Sequence, residues 1–323
     1  MTDRADGLAV VLGAGGGTGR AIVDELVQQG RKVRAVVRTS RGLPAGVETV
    51  TADLYDPAQA ARAVAGAAVV YHAAQPAYDK WDRNFARLND SVARAAGAAA
   101  ARLVFADNLY MYGPGGSPMT EATPQHATDR KGSLRRDLAA DLLARHARGE
   151  VEVVLGRSSD YFGPHGRNSG LGERLFGAAV AGKGASWGGA IDQPHSTSYL
   201  PDLARSMVVL GDRDEAAGRA WHLPVMDPIT GLAFGEQISA ALGRPVKVGP
   251  TTNTLLLVGG LFMSIAREAR VVHYQWQAPW VSDWSAFEAA FGPFERTPLD
   301  EAVKTTVAWW ADQAKAAQAA KAA

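Results

Sequence analysis

Short runs of aliphatic residues recur along the first half of the chain, each bounded by glycine or polar residues: "LAVVLG" (8–13), "KVRAVVR" (32–38), "VETVTADL" (47–54), "AAVVYHAA" (67–74), "RLVFADN" (102–108) and "VEVVLGRSSDYFGP" (151–164). Apolar runs this short, between turn signals, are what a strand covered on both faces requires. Between them lie segments with helical spacing: "TGRAIVDELVQQG", "PAQAARAVAG", "SVARAAGAAA" and "TDRKGSLRRDLAADLLARH" (128–146). Strands alternating with helices predict an α/β fold with a doubly wound parallel sheet. The pattern then changes. Residues 165–193 are Gly-rich and loop-like, 195–212 suggest one more strand and helix, and from about 223 the chain is mixed and aromatic. The Ala/Lys/Gln tail beyond 311 reads as a weak, fraying helix.

The composition limits the chemistry. A chain of 323 residues, 47% hydrophobic and 21% charged, can bury a sizeable core. A formal net charge of +1, with no basic block, argues against nucleic-acid and anionic-membrane partners. The absence of cysteine excludes disulfides, thiolate catalysis and cysteine-ligated zinc. The seven histidines lack metal-ligand spacing, and no G-x-S-x-G occurs. No secretory signal precedes the first glycine, and the longest apolar run, "LLLVGGLFMSIA" (255–266), is too short to span a bilayer. These features predict a cytoplasmic protein without a membrane partner, and place 255–266 in a buried helix or the wall of an apolar pocket.

"VVLGAGGGTGR" follows the first strand and opens the first helix, with Gly13, Gly16 and Gly19 at regular spacing around Gly17 and Thr18. Glycine there lets the backbone turn tightly and approach a pyrophosphate, while the helix N-terminus offers free N–H groups. A dinucleotide site is the expectation. The end of the second strand selects the cofactor: an acid there would accept from a ribose hydroxyl, whereas arginine pairs with a 2′-phosphate. "VVRTSR" carries Arg38 and Arg41 and no acid, which favours NADP, with NAD as the alternative. Asp53 and Leu54 follow the third strand, where the adenine would lie. The expected organisation is a Rossmann domain over 1–165, to which 194–222 return, with a smaller substrate-binding part formed by 166–193 and 223–323.

Taken as a set, "GAGGGTGR", "ADL", "YHAAQP", "DNLYMYGP", "RSSDYFGP" and "YLPDLA" resemble the extended or atypical short-chain dehydrogenase/reductase superfamily, the NAD-dependent epimerase/dehydratase group. The resemblance implies that Ala73 and Ala74 line the cofactor, with Ser159 beside it, and that Tyr112 is the tyrosine of the "YG" signature. It puts Asn108 where the family keeps its catalytic serine or threonine. It also puts Lys131 in the catalytic tyrosine position and Arg135 in that of the lysine. The usual set is thus replaced, and "KGSLRR" resembles the isoflavone-reductase-like branch, in which a lysine is thought to act.

Lys131 and Arg135 are four apart on one helix face, where like charges repel weakly. A neighbouring cation lowers a lysine's pKa, and a lysine tuned toward neutrality can exchange a proton with a substrate oxygen. The expected roles are Lys131 as acid–base, Arg135 as tuner and ribose anchor, and Asn108 to orient a carbonyl. His195 faces the site or is a satisfied structural histidine. "YQWQAPWVSDW" (274–284) is a pocket wall or core packing. The function expected is an NADP-dependent oxidoreductase for a small apolar or aromatic carbonyl or conjugated substrate, with a homodimer allowed. The alternatives are a non-redox isomerase, dehydratase or cyclase, and an inactive NADP-sensing regulator with a decayed site.

Overall fold

The computed structural model describes residues 4–39 and 42–322. Its strands are β1 (Leu8–Leu12), β2 (Val33–Val37), β3 (Glu48–Thr51), β4 (Ala67–His72), β5 (Arg102–Asp107), β6 (Val153–Arg157), β7 (Asp160–Phe162), β8 (Ala185–Trp187), β9 (Thr197–Tyr199), β10 (Ala220–His222) and β11 (Val248–Pro250). Seven of them form a sheet in the order β10-β6-β5-β4-β1-β2-β3, and every neighbouring pair is parallel. The order reverses between β1 and β4, so a crevice opens there at the carboxyl ends of the strands. β7 pairs with β9 and β8 with β11 in two small separate sheets.

Helices cover both faces, as the aliphatic runs require. α1 (Gly17–Gln28) and α6 (Leu200–Asp212) lie on one face, where Ile22, Leu26, Leu203 and Met207 pack on Val11, Val104 and Val154. α2 (Pro57–Val64), α3 (Trp81–Ala98) and α4 (Arg130–Ala147) lie on the other, bringing Ala60, Phe85, Leu88, Leu138 and Leu142 onto Val10, Val70 and Leu103. Local chemistry sets the starts of these helices. Asp56 caps α2 ahead of Pro57, and the Asp129 carboxylate accepts from Lys131 N at 3.0 Å and Gly132 N at 2.9 Å. A third core joins β7–β9, α5 (Ala178–Val180), α7 (Gly231–Leu242) and α11 (Leu299–Ala322) around Phe162, Phe176, Trp187, Phe234 and Trp310.

Two segments differ from the sequence expectation. Within 165–193, Leu171, Leu175, Phe176 and Ala179 are fully buried; Gly172–Gly177 form a π-helical turn that runs into α5. Glycine content hid an apolar face. The tail beyond 311 is helical, as expected, and continues α11 to Ala322. The 255–266 run is neither buried nor a pocket wall: α8 (Asn253–Phe262) and α9 (Ser264–Val271) form a hairpin whose apolar tip faces outward. In addition, α10 (Ser285–Phe291), from the C-terminal third, packs its Phe287 into the core under α6, on the Rossmann side.

Two buried histidines give the fold a pH dependence. His72 Nε2 lies 3.0 Å from Asn89 Oδ1. His222 lies between the Tyr112 hydroxyl at 2.6 Å and Ser282 Oγ at 2.9 Å. Burial is the main cause that lowers His72 to about 4 and His222 to about 3. An unfolded histidine titrates near 6.5, so below that pH the unfolded chain binds more protons than the native one. Stability should therefore fall as pH drops from 6.5 toward 4, by up to about 1.4 kcal/mol per pH unit for each residue. Denaturant unfolding across this window measures the slope. His72→Gln should make it shallower; an unchanged slope would remove His72 from the account.

Candidate functional site

The loop between β1 and α1 is built by close backbone approach. Gly13 has φ +78°, and a Cβ there would stand 2.7 Å from Ala74 N and Cα; a Cβ on Gly19 would stand 2.3 Å from Gly13 O. Neither position tolerates a side chain. Gly15 and Gly16 are different: both are exposed, and a Cβ on Gly16 would meet nothing nearer than Gly13 O at 3.4 Å. The first turn of α1 carries neither a side-chain cap nor an acid. Open space over two glycines at an uncapped helix N-terminus suits a pyrophosphate. Gly17 packs against His165 O, with Thr18 beside it in the first turn of α1. The residues present fit a dinucleotide.

Arg38 is exposed at the tip of β2, and Arg41 lies outside the described residues. Asp53 is exposed, and its Oδ1 accepts from Tyr55 N at 3.0 Å; Leu54 beside it is buried. Ala73 and Ala74 are half-buried at the end of β4. Ser159, just past β6, is buried with a hydroxyl that has no hydrogen-bond partner. A cofactor hydrogen bond would satisfy it.

Lys131 and Arg135 both lie buried on α4, but they serve different partners. Lys131 Nζ is 2.9 Å from Glu268 Oε2, donates to Tyr78 O at 2.7 Å and sits 3.8 Å from the Tyr78 ring centre. Its pKa is lowered, first by burial, against the opposing pull of Glu268. The cation beside it is Arg130, which shares Glu268. Arg135, expected to tune Lys131, instead holds Asp107 Oδ1 at 2.9 Å and donates to Ala106 O at 3.1 Å. The i,i+4 pair is screened by separate carboxylates.

Asp107 also binds Arg157 Nε at 3.1 Å. Arg157 Nη1 donates to the Tyr112 hydroxyl at 2.9 Å, which in turn donates to His222 Nε2. Tyr112 is fully buried in this chain, pushed up to about 12 chiefly by burial. Tyr112 thus lies within this buried network, between Arg157 and His222. Asn108 stays at the end of β5, its Oδ1 accepting from Tyr110 N at 3.2 Å. His195 is buried, stacked on Trp276 at 3.8 Å and 3.0 Å from Asp160 Oδ2; Trp276 belongs to the third core.

The residues that sequence reasoning missed are phenols. Tyr78 follows β4, Tyr110 follows β5 and Tyr161 follows β6, so all three stand at the carboxyl ends of adjacent strands. Burial raises the pKa of each. Tyr78 and Tyr110 act on each other's titration, and the amides of Gln275 and Gln75 lie near Tyr110 and Tyr161. Gly132 makes room for this cluster, since a Cβ there would lie 2.6 Å from Tyr110 O. Tyr110 stood inside the quoted "DNLYMYGP", two residues past Asn108. Glu268 had no local signal: it is 137 positions from Lys131. Among the described residues no cluster of His, Cys, Asp and Glu could hold a metal ion.

Comparison with known proteins places this geometry. The family model described as NAD dependent epimerase/dehydratase matches residues 9–223. UDP-glucose 4-epimerase from Bifidobacterium longum, solved with NAD+ and UDP, has a TM-score of 0.78 at 18% identity, over 95% of this chain and 99% of that one. UDP-N-acetylglucosamine 4-epimerase from Methanobrevibacter ruminantium has 0.77 at 18%, over 95% and 99%. WbmH from Bordetella bronchiseptica, solved with NAD+, has 0.72 at 19%, over 94% and 98%. At such identities the likeness speaks to the fold. None of the curated proteins compared with this sequence matches it.

The Lys131–Glu268 pair makes a prediction. Removing one partner of a buried ion pair costs about 3–5 kcal/mol, because the other charge stays buried. Glu268→Gln should destabilise the protein by that order at neutral pH. Lys131 has a folded pKa below its unfolded value of 10.5, so the unfolded chain binds more protons in between and stability rises with pH there. Loss of Glu268 should steepen that rise, and adding Lys131→Met should relieve most of the cost. Melts of both variants at neutral and alkaline pH decide it. A double variant no more stable than Glu268→Gln would mean that the two charges are not coupled.

Proposed function

This chain belongs to the NAD dependent epimerase/dehydratase family, and we propose that it works there as an NADP-dependent oxidoreductase on a small apolar or aromatic carbonyl or conjugated substrate. One observation carries the proposal. The cations that approach the ends of β4, β5 and β6 are already paired: Lys131 and Arg130 with Glu268, Arg135 and Arg157 with Asp107. The groups beside them are rings, Tyr78, Trp81 and Tyr110 among them. A diphosphate-bearing substrate is held by free cations, whereas a flat apolar substrate is held by aromatic faces.

A bound nicotinamide supplies or accepts the hydride. The Tyr161 hydroxyl, kept protonated by burial, would pass a proton to the substrate oxygen, with Gln75 orienting it. Asn108 Nδ2 would donate to the same oxygen. Lys131 would have to leave Glu268 to act as the acid–base group; the phenol needs no such opening. Lys131 then serves to fix Tyr78 and, through it, Tyr110. A second reading is an epimerase-type reaction with no net redox change, favoured by the sugar-nucleotide epimerases among the structural neighbours.

Fluorescence titration should show NADPH binding roughly tenfold or more tightly than NADH, since a charge-assisted bond from Arg38 contributes on the order of 1.5–3 kcal/mol. Gly16→Val should fold, given the open space over that residue, but lose the cofactor. With aromatic aldehydes and ketones, NADPH should be consumed, and Tyr161→Phe should lower turnover by about 10²-fold at unchanged cofactor affinity. A preference for NADH would overturn the NADP assignment. Conversion of a UDP-sugar without net change in the cofactor would establish the second reading instead.

A further inference from the structure

Among the described residues, nine large hydrophobic side chains are notably exposed, and seven of them fall within residues 255–265: Leu255, Leu257, Val258, Leu261, Phe262, Met263 and Ile265. Phe262 is 85% exposed and Leu261 75%. Single exposed apolar residues need no explanation, but a contiguous patch marks a site of interaction. The whole stretch from Thr251 to Ala266 contains no charged residue.

The hairpin is self-supporting. Leu256, Gly260 and Ala266 turn inward, and a Cβ on Gly260 would stand 3.3 Å from Arg267 Cα. Small residues let α8 and α9 pack backbone to backbone, so the tip keeps its shape without leaning on the body of the protein. The base is polar and tied down. Thr252 caps α8, and His273 Nδ1 and Nε2 lie 2.8 Å from Asn253 Oδ1 and 2.9 Å from Thr251 O. Arg267 and Arg270 are exposed just behind the tip, and Arg267 reaches back to Gly260 O. The one acid of α9, Glu268, is buried and turned toward Lys131 and Arg130. On the adjoining turn, Lys80 and Asp79 offset each other.

We propose that the α8–α9 tip docks onto a phospholipid surface, its apolar side chains entering the acyl boundary and Arg267 and Arg270 meeting anionic headgroups. An apolar tip, a basic collar and a polar base are the layers that an interfacial element needs. Nothing here spans the bilayer, since no helix among the described residues is long and apolar enough. The overall charge of +1 predicted no membrane partner, but net charge does not report a local patch. Arg130 and Lys131 at the start of α4 meet Glu268 of α9, one turn behind Ile265, and so tie the candidate site to the hairpin.

Flotation of the purified full-length protein with phosphatidylcholine vesicles, with and without phosphatidylglycerol, tests this. The protein should rise with both and favour the anionic vesicles, a preference that salt weakens. Leu261→Glu with Phe262→Glu should cut partitioning by about tenfold or more with an unchanged melting temperature, both positions being exposed. Arg267→Gln with Arg270→Gln should abolish only the preference for phosphatidylglycerol. A protein that stays at the bottom of both gradients overturns the proposal. So does a wild-type dimer that the Leu261/Phe262 variant converts to monomer without any vesicle binding, which would make the tip a contact between two copies of this chain.

Discussion

The carboxylate of Asp107 organises the centre of this molecule. It ends β5 at the middle of the sheet, fully removed from water, and is bound by the guanidinium groups of Arg135 from α4 and Arg157 from β6. An isolated carboxylate there would cost several kcal/mol; two buried arginines with further hydrogen bonds offset that desolvation. Through Arg157 the network runs on to Tyr112, His222 and Ser282, so the helix layer, three strands and a C-terminal segment share one set of charges. Taking away any member would strand the others in a dry interior.

This arrangement dictates what the crevice can offer. The Arg135 guanidinium lies among Trp81, Phe85 and Phe105, each about 5 Å away, with its charge answered by Asp107. Lys131 is answered by Glu268. Apart from the Asp160 carboxylate, which lies 3.0 Å from His195 and acts on all three phenols, the side chains named at these strand ends are neutral: the amides of Gln75, Asn108 and Gln275 and the hydroxyls of Tyr78, Tyr110 and Tyr161. Such a lining selects by shape, ring contact and hydrogen-bond direction rather than by charge.

The strands, the glycine loop and the strand–helix alternation were legible in the sequence because each rests on local rules: period, turn chemistry and the steric demand of one backbone passing another. Gly13 and Gly19 are needed where they stand because a Cβ would collide with backbone, and that demand shows in spacing alone. The pairing of charges was not legible. Lys131 and Arg135 look like a repelling i,i+4 pair on the chain, yet their partners come from β5 and from a helix 137 positions away, which no local pattern reports. The hairpin at 253–271 misled for a related reason. Hydropathy predicts burial from composition, but whether an apolar face is covered depends on what the rest of the fold brings to it, and here nothing does.

The pairing also bears on the alternative of a decayed site. Loss of a tyrosine and lysine by drift would leave their replacements in the same buried places without partners, and an unpaired buried cation is among the costliest faults a fold can carry. Here the Asn108 carboxamide oxygen accepts from Tyr110 N, Lys131 has a carboxylate and a carbonyl, and Arg135 has Asp107 together with Ala106 O. Glu268 comes from α9, the element that also carries the exposed tip, so the counter-charge for Lys131 is supplied by a part of the chain outside the central sheet. The polar groups at 108, 131 and 135 are therefore each partnered within this fold, and three phenols stand at the same strand ends. Buried charges that are all answered are what a stable fold requires, so the cost that a decayed site would carry in unpaired buried cations is not present at these positions.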